Sequence, residues 1–562
     1  MKLFGLTAFV TIGATAFAQS PAPVKPASID GKVVNATTGE PLRKVDLTLS
    51  NSLIDNEQME AAMAMFADTG ITSPLPPQPK VEKKDYKVTT DADGKFHLAG
   101  VDPGGYFLTA KRPGFVDERY NPGTGKGADG QVQLAAGDQL NGIVMRMTQQ
   151  GAASGRVLDE DGDPVANAMV TALSVNYSTG KRKLLPADTG QTNDRGEYRL
   201  GKLPPGHYYL SASSMHMMDF MNGVAPAPKD DAPEIDYVAT YYPRTVDAAI
   251  ATKVDIVPAA DVTALTIHLQ KSKVTRVKGQ AVDANGAPLK GGQVMLMSTS
   301  NMGAMQMGMV GPEGKFELAH VQPGSYMLMS IQMSGAKPSM TMQSIVVPER
   351  GLADVKVGAQ AEKTVTGRIA VEGNTKLDLK KIRVMLAGGE AATMPVFGMV
   401  SAAGDFSLKV AATQHEAKVT GVPPGAYLKS VLLNGRDVIG KSLDFGSTAG
   451  DLLLTLGTDG GSVDASVLLG DKSLFDASVV LLPVDAARRV PEAIRSESSD
   501  QGGHAKFKDV PPGDYLVCAW EKVEDGEWFD PDTAKIIEKQ AVRVTVGAGG
   551  SEKVEVKAIP RG

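Results

Sequence analysis

Asp194-Arg195-Gly196-Glu197-Tyr198-Arg199-Leu200-Gly201-Lys202-Leu203-Pro204-Pro205-Gly206-His207-Tyr208-Tyr209-Leu210-Ser211-Ala212 is the stretch whose reading decides the fold. Tyr198 and Leu200 alternate with polar residues, the period of a half-buried strand. Pro205-Gly206 then suits a type II turn, because Pro presets φ near −65° and Gly accepts a positive φ after it. Tyr208 opens a second apolar run. The reading predicts a β-hairpin with a buried tyrosine bonded through its hydroxyl.

Pro-Gly-x-Tyr occurs five times, ending at Tyr106, Tyr208, Tyr326, Tyr427 and Tyr515. Successive tyrosines are 102, 118, 101 and 88 residues apart, a domain-sized rather than solenoid spacing. Seven residues before the Pro stands Phe96, Tyr198, Phe316, Ala417 or Ala505. Upstream, Gly31-Lys32-Val33, Gly155-Arg156-Val157 and Gly279-Gln280-Ala281 each lead to a Gly-x-Pro turn. Gly367-Arg368-Ile369 and Gly461-Ser462-Val463 open the last two, more divergent units. Many short strands with closely spaced turns predict an all-β chain of tandem β-sandwiches.

The expected divisions are a leader at 1–18, a linker at 19–27, then units at 28–149, 150–272, 273–360, 361–456 and 457–562. Asn56 to Phe66 reads as a helix inside an insertion of the first unit, ending near Pro74-Leu75-Pro76-Pro77. A polar insertion from about Met215 to Asp236 is expected to be mobile. Met1-Lys2, an apolar run from Leu3 to Ala16 and the triplet Ala16-Phe17-Ala18 read as a secretory signal cut after Ala18. The mature chain is therefore expected in the periplasm or outside the cell, with no transmembrane segment. Net charge is −6 over 562 residues, which weighs against nucleic acid as a partner. Cys518 stands alone, so no internal disulfide can form, and its apolar neighbours read as a strand core.

With these motifs laid out, the repeat resembles the carboxypeptidase regulatory-like domain, a transthyretin-like Greek-key sandwich. The Gly-x-Val start, the strand from Asp194 to Tyr198 and the Pro-Pro-Gly-x-Tyr turn carry the resemblance. The segment from Ala519 to Trp528 is similar to the end of multi-domain exported acidobacterial proteins of this kind. The resemblance implies a non-catalytic sandwich, grouped by fold with carbohydrate-binding domains, more than it implies a function.

The chemistry that the domain's name suggests is missing. A zinc carboxypeptidase needs His-x-x-Glu, and none of the seven histidines has Glu three residues on. No Gly-x-Ser-x-Gly elbow, phosphate-cradling loop or cofactor motif appears. The expectation is a non-enzymatic binding or scaffold protein whose partner is an envelope protein or polysaccharide.

Three weaker signals stay open. Asp159, Asp161 and Asp163 crowd a tight turn and could hold calcium, although the loop lacks EF-hand spacing and matches the plain turns of units one and three. Methionines crowd the third unit, and thioethers suit copper(I). Met302, Met305, Met307 and Met309 are the copper candidates, while Met295, Met297, Met327 and Met329 read as strand core or contact surface. Trp520 and Trp528, the only tryptophans, could stack on sugar rings, or pack on their own sandwich.

Overall fold

A computed structural model describes residues 25–51, 84–120, 131–177, 180, 182–213, 234–283, 286–299, 305–332, 339–358, 362–373, 375–388, 396–411, 414–445 and 450–560. The expected leader, most of the linker, the helix at 56–66 and Met302 lie outside these residues.

The chain is all-β, a tandem series of sandwiches, two-sheet in the first four units and a single eight-stranded sheet wrapped on its core in the fifth. Residues 27–147 set the plan. One sheet orders Lys95–Val101, Ala27–Asn35 and Gln139–Met147; the other holds Asp85–Thr89, Asp46–Ser50 and Gly104–Lys111. Ile29, Val33, Leu47, Leu49, Phe96, Leu108 and Met145 meet between the sheets as one core. The same plan recurs around cores containing Leu200 and Leu210, Leu296 and Leu328, Ile369 and Leu454, and Val467 and Val517. In each, the opening strand pairs antiparallel on one side and parallel with a late strand on the other.

The Pro-Gly segment differs from the expected hairpin. The strands before and after it, Lys95–Val101 and Gly104–Lys111, belong to opposite sheets and do not pair. Pro103-Gly104 is therefore the corner at which the chain crosses the core, where a missing N–H costs no ladder bond. Nor is the turn type II. Gly104 and Gly206 lack a positive φ, Gly324 and Gly513 sit at 158°, and each glycine is already the first residue of the next strand.

The tyrosine packs beside the glycine, at ordinary contact distance in three of the four units. Two residues apart on a strand, both face the same way, and the ring lies back across the glycine. A Cβ on Gly104, Gly206, Gly324 or Gly513 would stand 3.3 to 3.8 Å from it. In three units the hydroxyl then closes the corner on the carbonyl four residues earlier: Tyr208 to Pro204 (2.7 Å), Tyr326 to Gln322 (2.8 Å) and Tyr515 to Pro511 (2.8 Å). Tyr106 instead sets its ring edge-on to Tyr86.

The fourth motif occupies another corner. Pro424-Gly425 leads from Gln414–Thr420 into Tyr427–Leu433, and Gly425 there does adopt φ 88°. The expected counterpart of Phe96 in this unit, Ala417, is replaced by Phe406. Register shows why: Gly31 pairs with Phe96, Gly155 with Tyr198, Gly279 with Phe316 and Gly367 with Phe406. The aromatic ring fills the space of the absent side chain across the ladder. In the last unit, Ala465 faces Ala505, so Ala465 and not Gly461 is the equivalent position.

Two further differences matter for function. Most of the insertion expected to be mobile, 214–233, lies outside the described residues. Glu234–Val238, which overlaps its end, is a strand paired with residues 270–274, the leading end of the long strand that continues into the third sandwich, while Tyr237 packs on the second core. The helix Pro531–Gln540, unanticipated from sequence, is capped by Asp530, with proline in its first turn.

Candidate functional site

The predicted calcium loop is a turn in the structure. Asp159 Oδ1 accepts the backbone N–H groups of Asp161 (3.0 Å) and Asp163 (2.9 Å). Asp91 makes the same pair of bonds to Asp93 and Lys95, and Asn193 to Arg195 and Glu197. The short side chain replaces a backbone turn bond. Among the described residues, no three His, Cys, Asp or Glu side chains are gathered closely enough to hold a metal ion.

Of the two readings of the tryptophans, the structure shows packing on their own sandwich. Trp520 and Trp528 are 6% and 9% exposed and pack with Val480, Leu482, Cys518 and Ile537. This second core lies on the outer face of the fifth sandwich, closed by the helix and the 527–529 turn. A ring with both faces packed cannot stack on a sugar. Burial also pushes the Cys518 thiol up to about 12, so no reactive thiolate forms there near neutral pH.

The methionines divide differently from the expectation. Met295, Met297, Met327 and Met329 are half-buried on the outer side of their sheet, while Val294, Leu296 and Leu328 between them enter the core. Met305, Met307 and Met309 form an edge strand rather than a loop. Register sets Met307 beside Met295 and Met305 beside Met297, with Met329 and Met327 on the next strand, while Met309 faces Gln293.

Two polar constellations were not legible in the sequence. At the strand Glu234–Val238, Arg276 Nη2 donates to Glu234 Oε1 (2.5 Å) and Nη1 to Glu317 Oε1 (2.7 Å). Burial opposes the guanidinium charge, but the two carboxylates outweigh it and raise its pKa. Beside it, His320 Nδ1 lies 2.6 Å from Asp236 Oδ2. The second constellation joins the second and fifth sandwiches, where the buried Tyr177 reaches Asp530. No spacing signal could have found either, since the partners lie on different units.

An open cleft between the first two sandwiches is lined by Asp46, Lys111, Arg112, Phe115, Asp188 and Arg199. It mixes charges of both signs, and Arg112 stacks over Phe115 at 4.9 Å from the ring centre. Nothing in its lining pairs a nucleophile with a base.

Residues 152–236 match the carboxypeptidase regulatory-like domain, so the resemblance drawn from the Gly155 and Tyr208 motifs holds for this segment. No curated protein matches the chain. Among solved structures, a streptococcal ancillary pilin is similar at 16% identity, covering 59% of this chain and 99% of its own, with a TM-score of 0.16. The Bacillus anthracis TIE protein shares 13% identity over 72% of each chain, with a TM-score of 0.16. GBS52, a minor pilin of Streptococcus agalactiae, shares 15% identity over 44% of this chain and 96% of its own, with a TM-score of 0.22. Among the described residues no helix is long and apolar enough to cross a membrane.

Proposed function

We propose that the chain is an exported, non-catalytic binding or scaffold protein of the cell envelope. Its sandwich units follow the divisions near residues 150, 272, 360 and 457 and serve as a platform for partner contacts. The leader-like residues 1–18 support export. The observation that carries the reading is the strand Glu234–Val238, which ties the second unit to the third: it pairs with residues 270–274 at their seam, with Tyr237 against the second core and Glu234 bonded to Arg276 of the third. Arg276, Glu234 and Glu317 are engaged in this joint.

The test is to incubate residues 19–562 with zinc and peptides ending in Lys, Arg or Leu. No amino acid is expected to be released. Release that scales with protein concentration and stops on chelation overturns the non-catalytic reading.

A further inference from the structure

Methionine is concentrated on one surface of the third sandwich, the outer side of the sheet ordered Met305–Met309, Gln293–Ser298, Gly324–Gln332 and Ser339–Val347. Met295 pairs with Met307 on one side and Met329 on the other; Met297 pairs with Met305 and Met327. Met342 continues the first row beyond Met329. Directly paired residues on one sheet face have Cβ atoms about 4.5–5.5 Å apart. Thioethers from three adjacent strands can therefore converge on one point above the sheet.

Packing alone does not account for this choice of residue. Along Val294-Met295-Leu296-Met297 and again along Met327-Leu328-Met329, the branched residues enter the core and the methionines face outward. Where other units carry an apolar outer face, it is built differently and covered. In the second unit Leu173, Leu184, Tyr209 and Tyr241 pack together there, and in the fifth the two tryptophans lie under the helix. The methionine face stays partly open, with Met305 47% and Met309 43% exposed. Gln293, Ser325 and Ser344 are its outward polar positions, so no described charge lies within it.

We infer that this face binds copper(I), with Met295, Met307 and Met329 as the central ligands and Met297, Met305 and Met327 as a second set. Thioethers are soft, uncharged donors that select copper(I) over zinc, calcium or magnesium. They carry no proton to lose, so binding persists in acid where histidine and thiolate sites release metal. The one thiol, Cys518, is buried in another unit and does not compete. This inference goes beyond the scaffold reading, which stands whether or not metal binds.

The experiment is an anaerobic titration of residues 19–562 with copper(I), competed against a chromogenic copper(I) chelator, at about pH 7 and about pH 5. Copper(I) uptake at both values, sulfur-only scattering in X-ray absorption and no uptake of zinc are expected. The variant M295L/M307L/M329L keeps apolar bulk at half-exposed positions, and its circular dichroism melt checks that it folds. It should weaken copper(I) binding by at least about tenfold, as losing even an outer-shell partner can. M399L, at an exposed methionine of the fourth unit, should change nothing. Failure of the parent chain to take up copper(I), nitrogen or oxygen ligation, or undiminished binding by a folded triple variant overturns the proposal. An apolar protein contact would then be the reading of the face.

Discussion

The Tyr177 hydroxyl donates to Asp530 Oδ2 at 2.5 Å, joining the second sandwich to the fifth across 353 residues of chain. Around the pair, Gly526 packs against Tyr177, and Gly180 approaches Phe529 and Pro491. The units therefore do not simply follow one another in a line; the last returns to the second. Replacing Tyr177 by Phe should leave each sandwich folded but loosen this return. A hydrogen bond to a charged group contributes about 1.5–3 kcal/mol. Small-angle scattering should show a larger radius of gyration, and an unchanged radius would refute a role for the contact.

Acid should act at the same place. Burial pushes the Asp530 carboxyl up, but the Tyr177 hydroxyl and the N–H groups of Asp532 and Thr533 together hold it below its ordinary 3.8. A depressed carboxyl contributes docking energy that is fully present above the ordinary value and lost as pH falls through the depressed one. The radius of gyration should thus be constant from neutral pH to about pH 4 and rise only below it. Expansion already near pH 6 would point to another group.

Arg276→Leu should loosen the strand Glu234–Val238 from the third unit. The side chain is 11% exposed, and its removal takes the guanidinium from Glu234 and leaves Glu317 with Lys278 at 3.6 Å. Breaking a buried pair costs about 3–5 kcal/mol, and the exposure of Glu234 and Glu317 places this one at the lower end. Thermal denaturation should show an early transition, with hydrogen exchange rising first in residues 234–238.

The pairing of glycine with aromatic residues makes a double-mutant prediction. A Cβ on Gly31 would stand 2.7 Å from the Phe96 ring and 2.5 Å from the Ile143 carbonyl. Gly31→Ala alone should destabilise the first sandwich, and Phe96→Ala alone should open a cavity costing about 3–5 kcal/mol. Together they recreate the Ala465–Ala505 pair of the last unit. Their combined cost should fall short of the sum by about 0.5–3 kcal/mol. Strict additivity in chemical denaturation would show that the ring and the glycine are not coupled.

Trp520→Ala and Trp528→Ala should each lower the stability of the fifth unit by about 3–5 kcal/mol, the cost of emptying a packed aromatic site. Neither should change binding on a glycan array when the protein remains folded. Selective loss of one glycan from a folded variant would contradict the buried placement of the rings.

Period-two alternation and the repeated Pro-Gly-x-Tyr motif were enough to read tandem sandwiches, and the glycine starts marked the opening strands. The same motif does not distinguish a hairpin from a corner, because a turn between paired strands and a corner between sheets draw on the same residues. The difference lies in which strand each side pairs with, a long-range fact. In the fourth unit the spacing rule chose Ala417, whereas pairing with Gly367 selects Phe406. The methionine surplus was visible, but not its surface: strand assignment turned a supposed loop at Met305–Met309 into an edge, and register aligned it with Met295 and Met297.

By itself, the sequence determined the all-β class, the repeat and the lack of familiar catalytic motifs. These depend on local periodicity and on residue types with strong backbone preferences. Only the tertiary structure decided that the tryptophans are buried and that Glu234–Val238 joins another unit. It alone also placed Tyr177 against Asp530 and the methionines on one open face. Each of those outcomes depends on strand pairing or packing between segments distant in sequence, within a unit or between units, and residues far apart in the chain carry no local mark of the neighbours they will acquire.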